Sequence, residues 1–383
     1  MRTTASYDLF PDARSERALA RARWLVREGR VRDAQSAYDE LLAAKPELKA
    51  GWAEYFELLR ANGRGEEALQ LADRVRATFG ETGFSFTVRG AALTELGRYP
   101  EALGELERAV EADPDLALVW HELGYAAYKL GDRNRALLAL DRAFALEPHT
   151  DTLKLRGQIL REAGRYQAAE VAFEGAAQAA EHAEQRADAE RELATTRRYD
   201  SYAPRRPEDL SASERWFADT GSIVLASTPG PVAPSDETIV ATFAEVAANS
   251  DWHFGQVILL GAEFPAASDL AYRLGAPLVT PAALDPAVCP LIVGLRPPAP
   301  SPPLPLSADR TWHGVVAKLT SQQIGLVFAV EHPSEGPTTL TSDVIGVLTD
   351  GGTRRERAPN PAQALNEARN PSSRLAGRRL RPR

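Results

Sequence analysis

Residues 116–150 read LALVWHELGYAAYKLGDRNRALLALDRAFALEPHT, and this stretch decides the fold of half the chain. Two segments of helical length flank Gly131-Asp132-Arg133, and Pro148 closes the second. Glycine ends one helix there, the residues after it start the next, and proline cannot continue a helix. The same unit recurs along the chain. Gly29, Gly63, Gly97, Gly131 and Gly164 stand 34, 34, 34 and 33 residues apart, and each is followed five residues later by an alanine, at Ala34, Ala68, Ala102, Ala136 and Ala169. A fixed period of this length marks stacked helical hairpins, none of which buries its apolar face without its neighbours. The first half of the chain therefore reads as a binding solenoid rather than a catalytic domain.

Within the fourth unit, Trp120, Leu123 and Gly124 on the first helix precede Ala136, Leu140, Ala143 and Pro148 on the second; in the third, Gly90 precedes Ala102, Leu106, Ala109 and Pro114. This pattern resembles the tetratricopeptide repeat. Gly90 and Gly124 let two helices approach where a side chain would hold them apart. Trp120 supplies a large area between successive hairpins. Arg21 replaces an apolar residue in the first unit, as suits a terminal repeat, and a charged helix near residues 184–198 is suited to closing the array.

The resemblance implies that the first helix of each hairpin lines a concave face, and helical spacing identifies the residues on it. Repeat three then offers Phe84, Thr87, Ala91 and Thr94. Repeat four offers Leu118, His121, Tyr125 and Tyr128 with Lys129 beside them, and repeat five offers Asp151, Lys154, Gln158 and Arg161. Arg23, Glu57 and Arg60 come from earlier repeats. The expected stripe is aromatic at its centre and basic toward repeat five, and Tyr and Arg are the residue types that most often carry interface energy. Chaperone-binding relatives grip a terminal carboxylate with lysines and asparagines on adjacent first helices. This chain has Arg23, Glu57, Ala91 and Tyr125 at successive equivalent positions, which argues against that ligand.

With 383 residues the chain suits two domains plus tails. The expected organisation is a flexible N-terminal tail at 1–14, a solenoid of five repeats and a capping helix at 15–198, a linker at 199–215, an α/β domain at 216–350 and a disordered Arg-rich tail at 351–383. The net charge of −8 conceals nine arginines from Gly352 onward, against only Glu356 and Glu367. Cys289 is the one cysteine, so no internal disulfide or thiolate cluster is possible. No apolar run approaches the length of a membrane span, and no secretory signal opens the chain, so a cytoplasmic location is expected.

Beyond Tyr199 short apolar β-type runs at 223–226, 256–260, 278–279, 291–295, 324–330 and 344–348 alternate with helical spacing at 237–248, 266–274 and 312–319. Such alternation predicts an open mixed or parallel sheet flanked by helices. Residues 297–305, rich in proline, predict a surface loop. Ala218-Asp219-Thr220-Gly221-Ser222-Ile223-Val224-Leu225 is similar to a segment of the LUD proteins, with Gly336-Pro337 and Ser342-Asp343 echoing a later motif. That resemblance implies a sugar-isomerase-like α/β fold and transfers no active-site residue. His253, His313 and His332 lack metal-ligand spacing, Cys289 reads as a buried residue, and neither a metal nor a cofactor is expected. The sequence thus points to an adaptor that binds a protein segment in the repeat groove. The alternative is an enzyme or small-ligand protein whose α/β domain holds the site and whose repeats recruit the substrate. A lesser possibility is nucleic acid held by the Arg-rich tail.

Overall fold

The computed structural model describes residues 13–228, 234–260, 265–280, 283, 285, 288–294, 325–333, 342–350, 353–354, 358–376, 378 and 380. The expected helix at 312–319, the loop at 297–305, His313 and Gly336-Pro337 lie outside the described residues. The chain divides into two compact units, one formed by residues 1–160 and 172–189, the other by 161–171 and 190–383.

Five helical hairpins fall where the glycines place them. They are α1 (Ala13–Arg27) with α2 (Val31–Ala44), α3 (Lys49–Ala61) with α4 (Gly65–Phe79), and α5 (Gly83–Glu95) with α6 (Tyr99–Ala112). Then come α7 (Ala117–Leu130) with α8 (Arg133–Leu146) and α9 (Thr150–Glu162) with α10 (Tyr166–Ala179), followed by α11 (Ala183–Asp200). All five turn glycines take positive φ, between 65° and 91°, a conformation that costs any L side chain strain. Asp132 then caps α8 by accepting from the Arg135 backbone N–H at 3.0 Å. The five matching alanines are all fully buried. A Cβ built on Gly90 would lie 2.5 Å from Leu106 Cγ, and one on Gly124 would lie 2.8 Å from Leu140 Cγ. Trp52 is buried and Trp120 half-buried, and each indole N–H donates to the carbonyl of a preceding proline, Pro46 or Pro114, at 2.8 Å.

The second unit contains a parallel sheet. Its strands are β1 (Ile223–Val224), β3 (Gln256–Leu260), β4 (Leu278–Val279), β5 (Pro290–Gly294), β6 (Leu326–Pro333) and β7 (Val344–Asp350), in the order β1-β7-β6-β5-β3-β4. β8 (Thr353–Arg354) adds to β7 antiparallel, and β2 (Ala226–Thr228) pairs separately with β9 (Ala358–Pro359). Runs such as Val257-Ile258-Leu259-Leu260 are apolar throughout because strands of a parallel sheet are covered on both faces. On one face Ile223, Val293, Phe328 and Val344 pack with Ile239 and Phe243 of α13 (Asp236–Asn249), Leu270 of α14 (Ala266–Leu274) and Ala364 of α15 (Pro361–Arg369). On the other, Val224, Ile345 and Leu348 pack with Ala212 and Trp216 of α12 (Ala212–Thr220).

The C-terminal segment departs from expectation. Residues 361–369 form α15, and Ala364, Leu375 and Leu380 join the core. Asp343, almost fully buried, accepts from the Val327 backbone at 2.9 Å and from Arg378 Nη1 at 2.5 Å, with Arg374 Nε at 3.7 Å. Few apolar residues and several Pro, Asn and Ser suggested disorder, since burial would not offset the ordering entropy. A buried carboxylate and three apolar anchors instead hold the segment to the sheet. Arg374 and Arg378 are thereby committed to the fold rather than presented as a basic arm.

Candidate partner-binding site

The first helices of successive hairpins pack on one another, α3 on α5 and α5 on α7, and form one wall of the array. Helix α5 is built from small residues, with Gly83, Ser85, Thr87, Gly90, Ala91, Ala92 and Thr94 all buried. Its hydroxyls turn inward: Thr87 Oγ1 donates to Gly83 O at 2.7 Å and Thr94 Oγ1 to Gly90 O at 2.9 Å. Thr87 and Thr94 therefore line a low floor with their hydroxyl protons already committed to the helix backbone. Across that floor Arg60 of α3 donates to Glu122 of α7 at 3.1 Å, with Glu57 at 3.5 Å and Glu95 at 3.6 Å.

Burial dominates the titration of this cluster. It pushes the carboxyls of Glu57 and Glu122 above the usual range, and Arg60 partly opposes the shift. The His121 imidazole is pushed down to about 4, again chiefly by burial. His121 Nδ1 lies 3.0 Å from Thr152 Oγ1 of α9.

Farther along α7, Tyr125 and Tyr128 are half-buried, and the Lys129 ammonium lies 5.2 Å from the first ring and 5.9 Å from the second. Gln158 of α9 donates to Tyr128 Oη at 2.9 Å. His121, Tyr125, Tyr128, Lys129 and Gln158 thus share one neighbourhood of α7 and α9. Phe84 sits elsewhere, edge-on to Phe79 at 5.4 Å, with Lys49 above its ring.

At the expected basic end of the stripe the cations are ion-paired. Lys154 is paired with Asp188, and Arg161, which belongs to the second unit, with Glu192 at 2.6 Å. Arg23 is held by Glu54 at 2.6 Å. Each of these cations is neutralised by a carboxylate of its own unit, so positive residues do not amount to a positive face. A cavity of about 290 Å³ opens instead beside Arg60, lined by Glu57, Leu118, His121, Glu122, Glu147 and Asp151 among others. Sequence reading did not single out Glu122, Glu147 or His149. The one signal for Glu122 was a charged residue inside the apolar frame between Trp120 and Leu123. Among the described residues no three His, Cys, Asp or Glu side chains are placed to hold a metal ion. No helix among them is long and apolar enough to cross a membrane.

Left-handed glycines, buried alanines and stacked hairpins define residues 19–184 as an array of tetratricopeptide repeats. A TPR repeat profile matches residues 90–131, and a tetratricopeptide repeat profile matches 19–81 and 121–184. The chain is similar to the Hsp70-Hsp90 organizing protein of Triticum aestivum, with 39% identity over 69 residues, 18% of this chain and 12% of that protein's length. Among solved structures, TTC0263, a thermophilic TPR protein of Thermus thermophilus, is 20% identical with a TM-score of 0.42 and is covered over 98% of its length by 47% of this chain. The APC/C hetero-tetramer Cut9-Hcn1 is 17% identical with a TM-score of 0.41, over 48% of this chain and 36% of that one.

Proposed function

We propose that the protein is an adaptor whose repeat array binds a segment of a partner protein along the wall formed by α3, α5, α7 and α9. The observation that carries this reading is the cluster of Tyr125, Tyr128, Lys129 and Gln158. Two half-buried aromatic rings with a cation and an amide beside them form an amphipathic contact surface, the kind from which interface anchors are built. The repeats support the general role, because arrays of this kind present extended binding surfaces. Glu57, Arg60 and His121 act in this reading as surroundings that fix register rather than as anchors, while Arg23, Phe84, Lys154 and Arg161 are given no role in it.

Tyr125→Ala combined with Tyr128→Ala is expected to weaken capture of the partner by the full chain about thirtyfold or more, as the loss of an anchor costing about 2 kcal/mol requires. Capture is read by affinity pull-down, and circular dichroism checks that helicity is kept. Unchanged capture by a folded double variant would remove the basis of the proposal. The second reading, a small-ligand or enzyme site in the α/β unit, draws on the strand order. The sheet reverses direction of growth between β3 and β5, and ligands of open α/β sheets bind at such points. This is an analogy of fold, and it assigns no residue.

A further inference from the structure

The cavity beside Arg60 has a marked chemical bias. Four carboxylates line it, Glu57, Glu122, Glu147 and Asp151, against the single guanidinium of Arg60. That guanidinium is already engaged by Glu57, Glu95 and Glu122. Glu147 is exposed and has no ion-pair partner among the described residues, and Asp151, 57% exposed, lies 3.9 Å from Nδ1 of His149, which also lines the cavity. One wall is apolar, since Leu118 is 53% exposed at the cavity and Ala117 lies beside it. Long cationic side chains match such a site, because they lay an aliphatic stem on apolar surface and keep the charged head among polar groups. An anionic group would face the carboxylates of Glu147 and Asp151, and an apolar one would desolvate them without compensation.

We propose that this cavity receives a lysine or arginine side chain of a basic partner segment, with its stem against Leu118 and its head between Glu147 and Asp151. The inference rests on the reading of the α3–α9 wall as the partner-binding surface and assigns that partner its charge. A segment running from the cavity toward Tyr125 and Tyr128 would place one cation in the recess and an apolar residue on the rings. Charge complementarity of this type acts on partner choice and encounter rate, and it weakens with salt.

The test uses the full-length chain and two labelled twelve-residue peptides with blocked ends, one alternating Lys with Ala and the other alternating Glu with Ala. Binding is read by fluorescence anisotropy at low salt. The lysine peptide is expected to bind and the glutamate peptide not to. Glu147→Gln with Asp151→Asn should weaken the lysine peptide about tenfold, equivalent to about 1.4 kcal/mol. Glu28→Gln with Glu111→Gln, two exposed carboxylates outside the cavity, should leave binding unchanged. Failure of the lysine peptide to bind, or equal weakening by both pairs of substitutions, overturns the inference. Weakening by the Tyr125→Ala and Tyr128→Ala pair but not by the cavity pair also overturns it while leaving the binding wall in place. If neither pair alters binding, both readings fall.

Discussion

His121 shows how one residue links the array to solution conditions. In the unfolded chain its imidazole takes up a proton as pH falls below about 6.5, whereas in the folded array burial delays this to about 4. Between those values the unfolded chain binds more protons, so stability falls as pH drops through the window. The His121 contribution at pH 5 is a loss of about 2 kcal/mol relative to pH 7. His121→Asn, which can still meet Thr152, is expected to lose less stability than the parent over the same step. Urea denaturation followed by circular dichroism at pH 7 and pH 5 measures the difference, and parallel losses in both proteins would refute the assignment. Arg60 teaches the complementary lesson. Its charge is legible in the sequence, but its partner Glu122 lies 62 residues away, and only the small side chains of α5 allow the two to meet.

At the scale of the element, the hairpin depends on what is missing at Gly90. Gly90→Ala would force Leu106 to move, because its Cγ and Cδ2 lie 2.5 and 2.8 Å from the added Cβ, and overpacking of this kind costs about 1–3 kcal/mol. Gly104→Ala on α6 meets nothing within 4 Å and is expected to raise stability by about 0.5–1 kcal/mol. Thermal melts of the two single variants should therefore shift in opposite directions, and a fall for both would contradict the packing account. The hairpins were legible because their constraints are local and repeated: one left-handed turn and one buried alanine, five times over. The strands β3, β5, β6 and β7 were legible because burial on both faces leaves a continuous apolar run. Of the proposed wall, only the stacking of first helices was legible. The charge of the array depends on pairs such as Arg23 with Glu54 and Lys154 with Asp188, which no spacing rule connects.

For the whole molecule, the two units answer different questions. The second is completed by its own C-terminus, since Arg378 and Arg374 are the cations beside buried Asp343. Ending the chain after Arg369 removes them together with Leu375 and Leu380, and an unpaired buried carboxylate costs about 3–5 kcal/mol. The shortened protein should melt well below the parent in differential scanning calorimetry, whereas an unchanged profile would mean that the segment is dispensable. Nearest-neighbour stacking leads us to propose that the repeats fold without the α/β unit. The expected boundary near Arg198 cuts into the second unit, however, because that guanidinium is buried against the carbonyls of Ala218, Asp219 and Ser372. The account turns on where a partner lies, and amide hydrogen exchange of the full chain, with and without the partner recovered by capture, measures this most directly. We predict slowed exchange confined within the array to α3, α5, α7 and α9, the helices of the proposed wall. Protection restricted to the outer helices α4, α6 and α8, or to the α/β unit alone, would contradict it.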